Sequence, residues 1–268
     1  RIVDRRETGD GVLEVAPDGF QTAFDRIVLP WLEHYGSMPI LACGTVGSRQ
    51  GWIETPYLDC PADATEIANN LTEVRNDFWI VPGLCNRGEG APDVMRGQET
   101  RLVGHNADGL YVMPGHHSRW ALVDGGSIVR FATYMTGELR AMLKAQGIDG
   151  RRMTDDDDPD AFDRGLLYAM EKGGGLLHRL FSVRALGCLG ELAERSLCDY
   201  VAGLLIGAEV LEGLATFGED LAVTVECEGE LGRRYRRALA MAGIAERERV
   251  PEAVAHGLYE IGSRAAMF

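Results

Sequence analysis

The sequence predicts an α/β protein built from two lobes. In the first 108 residues, short apolar runs that end in glycine or proline alternate with segments of helical spacing. Further along, Asp124-Gly125-Gly126 separates two runs of alternating polarity, which is typical of a β-hairpin, and helices dominate after it. The change of pattern near residues 107–110 predicts an N-terminal lobe over 1–108, a C-terminal lobe over 109–268 and a ligand cleft between them.

Apolar periodicity predicts the elements of the N-terminal lobe. Phe20, Phe24 and Trp31 share one face of a helix over 19–34, and Ile67 and Leu71 share one face of a second helix over 62–76. The remaining elements follow from continuous apolar runs, glycine and proline content and helical spacing: strands over 39–43 and 78–82, a loop over 83–92 and a helix over 93–104.

The C-terminal lobe is predicted to start with a strand over 110–114 and the hairpin, whose strands cover 118–124 and 127–133. Helical spacing then predicts five helices, over 136–146, 160–172, 189–214, 230–242 and 250–266, and an apolar run predicts a strand over 221–225. The glycine run that starts at Gly173 and leads to Arg184 is either a hinge or a plain loop between helices. Gly203 and Gly207 lie four residues apart on a buried helix and are expected to allow close helix packing.

Composition limits the classes of function. Of the 268 residues, 46% are hydrophobic and 25% are charged, as in ordinary globular proteins. The net charge of −14 repels nucleic acids and anionic membranes, so neither is expected as a partner, and an anionic substrate would need a local basic pocket. The six cysteines have no zinc-like spacing, which favours a reducing cytoplasm, and no apolar run reaches membrane-spanning length.

The most informative stretch is the apolar run at 39–43 and the loop that follows it. Gly44, Gly47 and Gly51 allow tight turns or a close approach of the backbone to a ligand. Between and after these glycines the loop presents four candidate ligand-binding side chains: Ser48, Arg49, Gln50 and Trp52. The planar fork of donors on Arg49 suits a carboxylate or a phosphate, while the indole of Trp52 offers a flat apolar wall.

A second candidate segment is Pro92-Asp-Val-Met-Arg-Gly-Gln-Glu-Thr100. Asp93 follows a strand and a loop and is expected to open a helix, at the carboxyl end of a sheet, where α/β proteins bind ligands. Arg96 lies about one helical turn further on and could face the same pocket, as could Glu99. The structural alternative is that Asp93 is an ordinary N-cap, which the sequence alone favours.

Two further segments could hold an anion. The turn after the strand over 110–114 presents Gly115, His117 and Ser118, either as an anion cradle or as an exposed hairpin turn. Adjacent His116 and His117 weakly suggest a metal ion, but the lack of a carboxylate at ligand spacing argues against one.

The other of these two segments opens a helix at Thr136, with Gly137 and Glu138 next to it. Its N-terminus suits either a phosphate or a simple cap, and these two interpretations are equally supported. The acidic run over 155–158 is expected to be a solvated loop that caps the following helix. The chain lacks the phosphate-loop, dinucleotide-fold and serine-hydrolase motifs.

Taken in order along the chain, these motifs resemble the 2-dehydro-3-deoxygalactonokinase family. The resemblance covers most of the chain and runs through residues 41–52, 57–62, 80–83, 92–100, 114–115, 117–120, 135–139, 176–184, 199–200 and 203–207. It implies an actin-like sugar-kinase fold, in which two ribonuclease-H-like lobes close on ATP and a sugar. It also implies that the N-terminal strand with the family's Asp-x-Gly-Thr phosphate loop lies upstream of Arg1.

The activity implied by the resemblance is the ATP-dependent phosphorylation of 2-dehydro-3-deoxy-D-galactonate at its 6-hydroxyl, in galactonate breakdown, with ATP and Mg²⁺. Asp93 matches the family's catalytic base. The expected substrate contacts are Ser48, Arg49, Gln50, Trp52, Arg96 and Glu99. The expected phosphate contacts, in the C-terminal lobe, are Gly115, His117, Ser118, Thr136 and Gly137, and no metal ligand is assigned.

This sequence departs from the expected pattern at His116, where a threonine is expected, and at Glu226 and Glu228, which make the region expected near adenine more acidic. Two alternatives therefore stay open: a non-catalytic nucleotide- or sugar-acid-binding protein of the same fold, and a kinase for another 2-keto-3-deoxy sugar acid. An exposed aromatic patch around Trp31 or Trp79 would be consistent with a homodimer.

Overall fold

The computed structural model describes residues 1–88, 91–146, 157–171, 173–219 and 221–268. The chain divides into two compact units: unit 1 comprises Arg1–Asp108, Val123–Phe131 and Val250–Phe268, and unit 2 comprises Gly109–Leu122 and Ala132–Arg249. The predicted boundary between residues 108 and 109 coincides with the first change of unit. Residues 123–131 and 250–268 were predicted to belong to the C-terminal lobe but belong to unit 1, because the tip of the hairpin and the last helix pack with the first 108 residues.

The helices and strands have the following bounds in chain order: α1 Phe20–Tyr35, β1 Ile40–Ala42, β2 Tyr57–Asp59, β3 Ala62–Asp63, α2 Ala64–Asn69, β4 Thr72–Arg75, β5 Phe78–Ile80, β6 Gly83–Asn86, β7 Asp93–Met95, α3 Gln98–His105, β8 Gly109–Met113, β9 Ser118–Asp124, β10 Ser127–Tyr134, α4 Thr136–Gln146, α5 Pro159–Met170, α6 Leu176–Cys188, α7 Leu197–Phe217, β11 Val223–Val225, α8 Gly229–Met241, β12 Glu246–Arg247 and α9 Ala253–Arg264. The fold is therefore mixed α/β, as the sequence predicts.

Unit 1 contains two three-stranded sheets. In the first, of order β1-β5-β4, β1 runs parallel to β5 and β4 runs antiparallel to it. In the second, of order β2-β6-β7, β2 runs parallel to β6 and β7 runs antiparallel to it. The start of β10 pairs with β3, and α9 packs against α3. The carboxyl ends of β2 and β6 thus lie at one edge of the second sheet.

Unit 2 has a sheet of order β12-β11-β8-β9-β10, in which β11 runs parallel to both β8 and β12. Its core forms where α5, α7 and α8 cover this sheet, around the fully buried indole of Trp120. Within the described residues, the stretch Glu194–Phe217 is long and apolar enough to cross a membrane, yet 72% of its apolar window is buried inside the protein. Burial of this kind is what a central core helix requires.

Several predicted elements are confirmed. Helix α4 has the predicted bounds, β9 and β10 form the predicted hairpin, and α1, α8 and α9 differ from prediction by a few residues at their ends. Asp158 accepts a hydrogen bond from the Ala161 N–H at 3.0 Å and so caps α5, as expected for the acidic run. Residues 155 and 156 of that run lie outside the described residues.

Three predicted helices have the wrong bounds. The segment 62–76 forms β3, the short helix α2 and β4, because Asp63 caps α2 through the N–H groups of Thr65 and Glu66 and the helix ends at Asn69. The segment 93–104 starts as strand β7, since its residues pair with β6, and helix α3 begins only at Gln98. The segment 189–214 is α-helical only from Leu197, where α7 begins, because residues 189–196 separate α7 from the end of α6 at Cys188. Most of the stretch from Gly173 to Arg184 thus belongs to α6 rather than to a loop or hinge.

Close packing of α5 on α7 confirms the role expected of Gly203 and Gly207. A Cβ atom added at Gly203 would lie 2.1 Å from the carbonyl oxygen of Phe162, and one added at Gly207 would lie 2.7 Å from the Cβ of Ala169. Such distances leave no room for a side chain, so the backbones of the two helices are in direct contact.

We expect Gly203→Ala to lower the free energy of unfolding by about 1–3 kcal/mol, because the new methyl group overpacks the contact with α5. The matched control is Gly187→Ala in α6, where an added Cβ would lie 3.8 Å from Leu197, an ordinary contact. Urea unfolding of both variants measures the difference. Equal stability of the two variants would show that α5 and α7 separate without cost.

Candidate functional site

The glycine-rich loop after β1 is tightly folded. Gly44 has φ of +88°, and a single 3-10 turn over Thr45–Gly47 follows it. The Trp52 N–H donates to the Val46 carbonyl at 2.8 Å, and a Cβ added at Gly51 would lie 2.3 Å from the same oxygen. The loop therefore requires glycine because its own backbone closes on itself, which is one of the two reasons the sequence suggested.

Buried Thr55 connects this loop to the segment that contains Asp93. Its hydroxyl donates to the Gly47 carbonyl at 3.2 Å, and Arg96 donates to both the hydroxyl and the carbonyl of Thr55, the latter at 2.8 Å. The Arg96 guanidinium also lies 4.3 Å from the centre of the Tyr57 ring. The structure thus brings two predicted motifs together in unit 1. Arg96 serves as the connection, since both terminal nitrogens of its guanidinium donate to Thr55.

Asp93 lies at the edge of the sheet that the sequence predicts for ligand binding, although it opens a strand rather than a helix. It pairs with Asn86, the last residue of β6, and β2 ends beside them because Asp59 pairs with Cys85. Asp93 therefore lies at the carboxyl ends of two parallel strands. Its Oδ1 accepts the Val94 N–H at 2.7 Å, which orients the carboxylate.

Arg49 and its neighbours are accessible. The Arg49 side chain is 86% exposed, and its Nε lies 3.4 Å from Oε1 of Glu54. Gln50 is exposed, and its backbone N–H donates to the Ser48 hydroxyl at 3.3 Å. An exposed ion pair of this kind contributes about 1 kcal/mol or less, so a ligand carboxylate can replace Glu54.

Trp52 packs within an aromatic cluster of unit 1. Its ring stacks on Phe20 at 6.4 Å and meets the rings of Phe24 and Phe78, each at 5.5 Å. These contacts fix α1 against the loop and the β1-β5-β4 sheet. The structure therefore shows a packing role for Trp52, and its contact with a substrate stays a prediction.

Glu99 is fully buried and holds the start of α3. Both of its carboxylate oxygens accept the Gly97 N–H, at 2.7 and 2.8 Å, and the Thr100 hydroxyl donates to Oε1 at 3.1 Å. Burial raises the pKa of Glu99 to about 7, and the N–H and hydroxyl donors oppose that shift. Contrary to the prediction of a substrate contact, no surface of Glu99 is open to a ligand in this structure.

In unit 2, the turn between β8 and β9 lies directly against the start of α4. The Glu138 N–H donates to the His116 carbonyl at 2.9 Å. A Cβ added at Gly137 would lie 2.3 Å from the Gly115 carbonyl oxygen, so only glycine permits this approach. Two segments that the sequence predicts as phosphate contacts are therefore adjacent.

The hydroxyl groups of these two segments point into the protein. Ser118 is fully buried and donates to Oε1 of Glu209 at 2.6 Å, and Thr136 also hydrogen-bonds to Glu209. Trp120 Nε1 donates to the same carboxylate at 2.9 Å, and the Tyr235 hydroxyl donates to it at 2.5 Å. A phosphate contact through the hydroxyl of Ser118 or Thr136 would compete with the hydrogen bonds to Glu209. The backbone N–H groups of the turn do not take part in these bonds to Glu209.

Glu209 is the residue that the sequence analysis missed. It lies 3% exposed on α7, and burial raises its pKa, while the four hydrogen bonds it accepts lower it. The available signal was a single acidic residue inside an otherwise apolar stretch over 200–211. A charge in such a run needs internal partners, so it indicates a buried polar network.

The argument against a metal ion at the histidine pair is wrong on one point. Nε2 of His117 lies 2.6 Å from Oε2 of Glu138, and Nε2 of His116 lies 3.9 Å from the same oxygen. The fold supplies the carboxylate from α4, which spacing along the chain could not show.

Comparison with known structures defines the class of protein. A crystal structure of a "putative 2-dehydro-3-deoxygalactonokinase protein" from Sinorhizobium meliloti matches with a TM-score of 0.87 and 33% identity, and covers 98% of this chain and 91% of that chain. The chain therefore has the mixed α/β fold of this structurally characterised class of protein.

Comparison of sequences then gives the family. The 2-keto-3-deoxy-galactonokinase family model matches residues 1–261. The 2-dehydro-3-deoxygalactonokinase of Escherichia coli is 34% identical over 245 residues, which are 90% of this chain and 83% of that protein. A probable 2-dehydro-3-deoxygalactonokinase of Rhizobium meliloti is 35% identical over an alignment of 270 positions, which covers 96% of this chain and 88% of that protein. The chain belongs to the 2-keto-3-deoxy-galactonokinase family.

The raised pKa of Glu99 predicts a pH-dependent stability. Between its ordinary value of 4.5 and about 7, the unfolded chain releases a proton that the folded protein keeps. The free energy of unfolding therefore contains a contribution that is complete below pH 4.5 and is lost as the pH rises towards 7, on the order of 1–3 kcal/mol. Glu99→Gln cannot titrate and should lack this loss.

Urea unfolding at several pH values from 4.5 to 7 measures the effect, with Glu73→Gln, at an exposed position, as the control. The control should follow the parent protein. Parallel curves for Glu99→Gln and the parent would show that the Glu99 carboxyl ionises normally.

Proposed function

We propose that this chain transfers the γ-phosphoryl group of ATP to the 6-hydroxyl of 2-dehydro-3-deoxy-D-galactonate. The observation that carries the proposal is the family match over residues 1–261. It is supported by the connection, in unit 1, of an accessible arginine loop with a carboxylate at the carboxyl end of a sheet.

Asp93 is the proposed general base. Its carboxylate takes the proton of the 6-hydroxyl as that oxygen forms a bond to the γ-phosphorus, and the bond from phosphorus to the β,γ-bridging oxygen breaks to release ADP. A carboxylate at the end of a strand suits this role because the strand backbone fixes its position. The Val94 N–H donates to Oδ1 of Asp93, which helps to orient the carboxylate for this role.

Arg49 is the proposed partner of the sugar-acid carboxylate. Its guanidinium offers paired N–H donors, and the weak contact with Glu54 can be exchanged for a ligand. Ser48 and Gln50 on the same loop are proposed to bind substrate hydroxyls. Arg96 has a supporting role in this proposal, since its contacts with Thr55 hold the loop and the Asp93 strand together.

The phosphates are proposed to contact the backbone of the turn over 115–118 and the start of α4 at Thr136 and Gly137, where a helix N-terminus favours negative charge. The turn offers two imidazoles and α4 offers one carboxylate, whereas Mg²⁺ prefers oxygen ligands. The residues of this turn therefore do not suit a resident Mg²⁺ ion. ATP is proposed to arrive as its magnesium complex, with the ion carried by the phosphates.

We also propose that the chain has ribonuclease-H-like lobes and acts in the cytoplasm. The sheet of unit 2, with a hairpin beside strands parallel to β8, supports a ribonuclease-H-like lobe. The cytoplasm supplies ATP and a reducing environment for six free cysteines. Burial raises the pKa of the Cys43 thiol to about 11 and that of Cys60 to about 12, so both are expected to be unreactive.

A coupled ADP-release assay tests the proposed function, with magnesium ATP and either 2-dehydro-3-deoxy-D-galactonate or its gluconate epimer. ADP release that depends on the galactonate compound would establish the reaction. Release with the epimer alone would keep the chemistry and change the substrate. No release with either compound, together with measurable binding of ATP, would support the non-catalytic alternative.

We expect Asp93→Asn to lower kcat by about 100- to 10,000-fold with little change in the affinity for the sugar acid, because the amide cannot accept the hydroxyl proton. Calorimetry measures that affinity separately. Asp59→Asn, at the same edge of the sheet, is the comparison, and its loss should be much smaller. If Asp59→Asn lost the activity and Asp93→Asn kept it, the base would be Asp59.

We expect Arg49→Ala to raise KM for the sugar acid by about 10- to 100-fold, because one charge-assisted interaction with its carboxylate is lost. The KM for ATP should be nearly unchanged. Arg26→Ala is the matched control, since Arg26 is also an exposed arginine in an ion pair of unit 1. An unchanged KM for the acid in Arg49→Ala would place the carboxylate elsewhere.

A further inference from the structure

The two histidines of the turn between β8 and β9 have neighbouring rings. The ring centres of His116 and His117 are 5.0 Å apart and their planes meet at 44°. Both side chains are accessible, with 65% and 42% of their surface exposed. Two imidazoles at this separation can contribute to one metal ion.

Glu138 completes a set of three ligands. One ligand atom from each of His116, His117 and Glu138 lies within 4.8 Å of the other two. The distances from the two Nε2 atoms to Oε2 of Glu138 are 2.6 and 3.9 Å. They bracket the separation of about 3.4 Å expected between ligands of a tetrahedral ion with bonds of about 2.0–2.1 Å, so small side-chain rotations suffice.

The backbone holds these ligands in place before any ion binds. The Glu138 N–H donates to the carbonyl of His116, and Gly137 lies so close to the Gly115 carbonyl that a Cβ would be 2.3 Å from it. The segment carrying the carboxylate and the segment carrying the imidazoles are therefore fixed against each other. Binding would not require a loop to become ordered, which would otherwise cost affinity.

From this geometry we infer that His116, His117 and Glu138 form a binding site for a divalent transition-metal ion such as Zn²⁺. Two imidazoles with one carboxylate and an open fourth position are the pattern of open zinc sites. Nitrogen ligands favour Zn²⁺, Ni²⁺ and Cu²⁺ over Mg²⁺. The ion displaces the proton shared by His117 and Glu138, and water or an anionic oxygen occupies its fourth position. This site does not depend on the proposed kinase reaction.

The test is calorimetric titration of the full chain, first treated with a chelator, with Zn²⁺ and separately with Mg²⁺. We expect one equivalent of Zn²⁺ to bind much more tightly than Mg²⁺. His117→Asn and Glu138→Gln should each weaken Zn²⁺ binding at least about tenfold, because even the loss of an outer-shell partner costs roughly that much. His178→Asn, an exposed histidine elsewhere in unit 2, is the control and should bind as the parent does.

Co²⁺ provides a spectroscopic readout that does not depend on activity. The parent should show the visible absorption of a four-coordinate ion without a thiolate charge-transfer band, and both ligand variants should lose it. A thiolate band would place the ion at cysteines. Unchanged Zn²⁺ affinity in His117→Asn and Glu138→Gln, or equal affinity for Zn²⁺ and Mg²⁺, would overturn the proposal. Urea unfolding of each variant confirms that a loss of binding is not a loss of folding.

Discussion

The carboxylate of Glu209 is the interaction on which the local structure of unit 2 depends. It is buried on α7 and accepts hydrogen bonds from four side chains: Ser118, Trp120, Thr136 and Tyr235. These donors belong to β9, α4 and α8, so one group fixes three elements against α7. The pKa of Tyr235 is raised, first by burial and then by this carboxylate, which keeps its hydroxyl protonated and donating. The turn and the start of α4, where phosphates are proposed to bind, are positioned by this network.

Thr55 has the corresponding role in unit 1, where the connecting group is a neutral hydroxyl instead of a carboxylate. It is 1% exposed and bonds to Gly47 on one side and to Arg96 on the other. Arg96 can be tolerated there because its charge lies over the Tyr57 ring and against carbonyl and hydroxyl oxygens. In each unit, then, one buried residue holds candidate binding segments that are distant from it in sequence: Glu209 in unit 2 and Thr55 in unit 1.

This distance in sequence explains what could be predicted. Helix α4 and the β9–β10 hairpin depend on local periodicity and turn residues, and the sequence predicts both. Strand β7 has three residues and forms because it pairs with β6. Local spacing does not contain this pairing and therefore predicted the start of a helix there. The candidate site shows the same difference between local and tertiary determinants. The loop with Arg49 could be predicted from its glycines, whereas the partners of Arg96, Ser118 and His117 depend on tertiary contacts.

Charge decides which arginine can recognise an anionic substrate on a chain of net charge −14. A cation held by buried partners cannot leave them without exposing unsatisfied groups, so Arg96 is costly to recruit. Arg49 is 86% exposed and opposed by Glu54 at 3.4 Å, a pairing that water already weakens. A sugar-acid carboxylate that replaces Glu54 gains a paired set of N–H donors and leaves Glu54, itself 51% exposed, solvated. The acidic surface therefore favours selective binding of the sugar acid. The surface repels anions in general, and an anion gains affinity only where its carboxylate can pair with an accessible arginine such as Arg49.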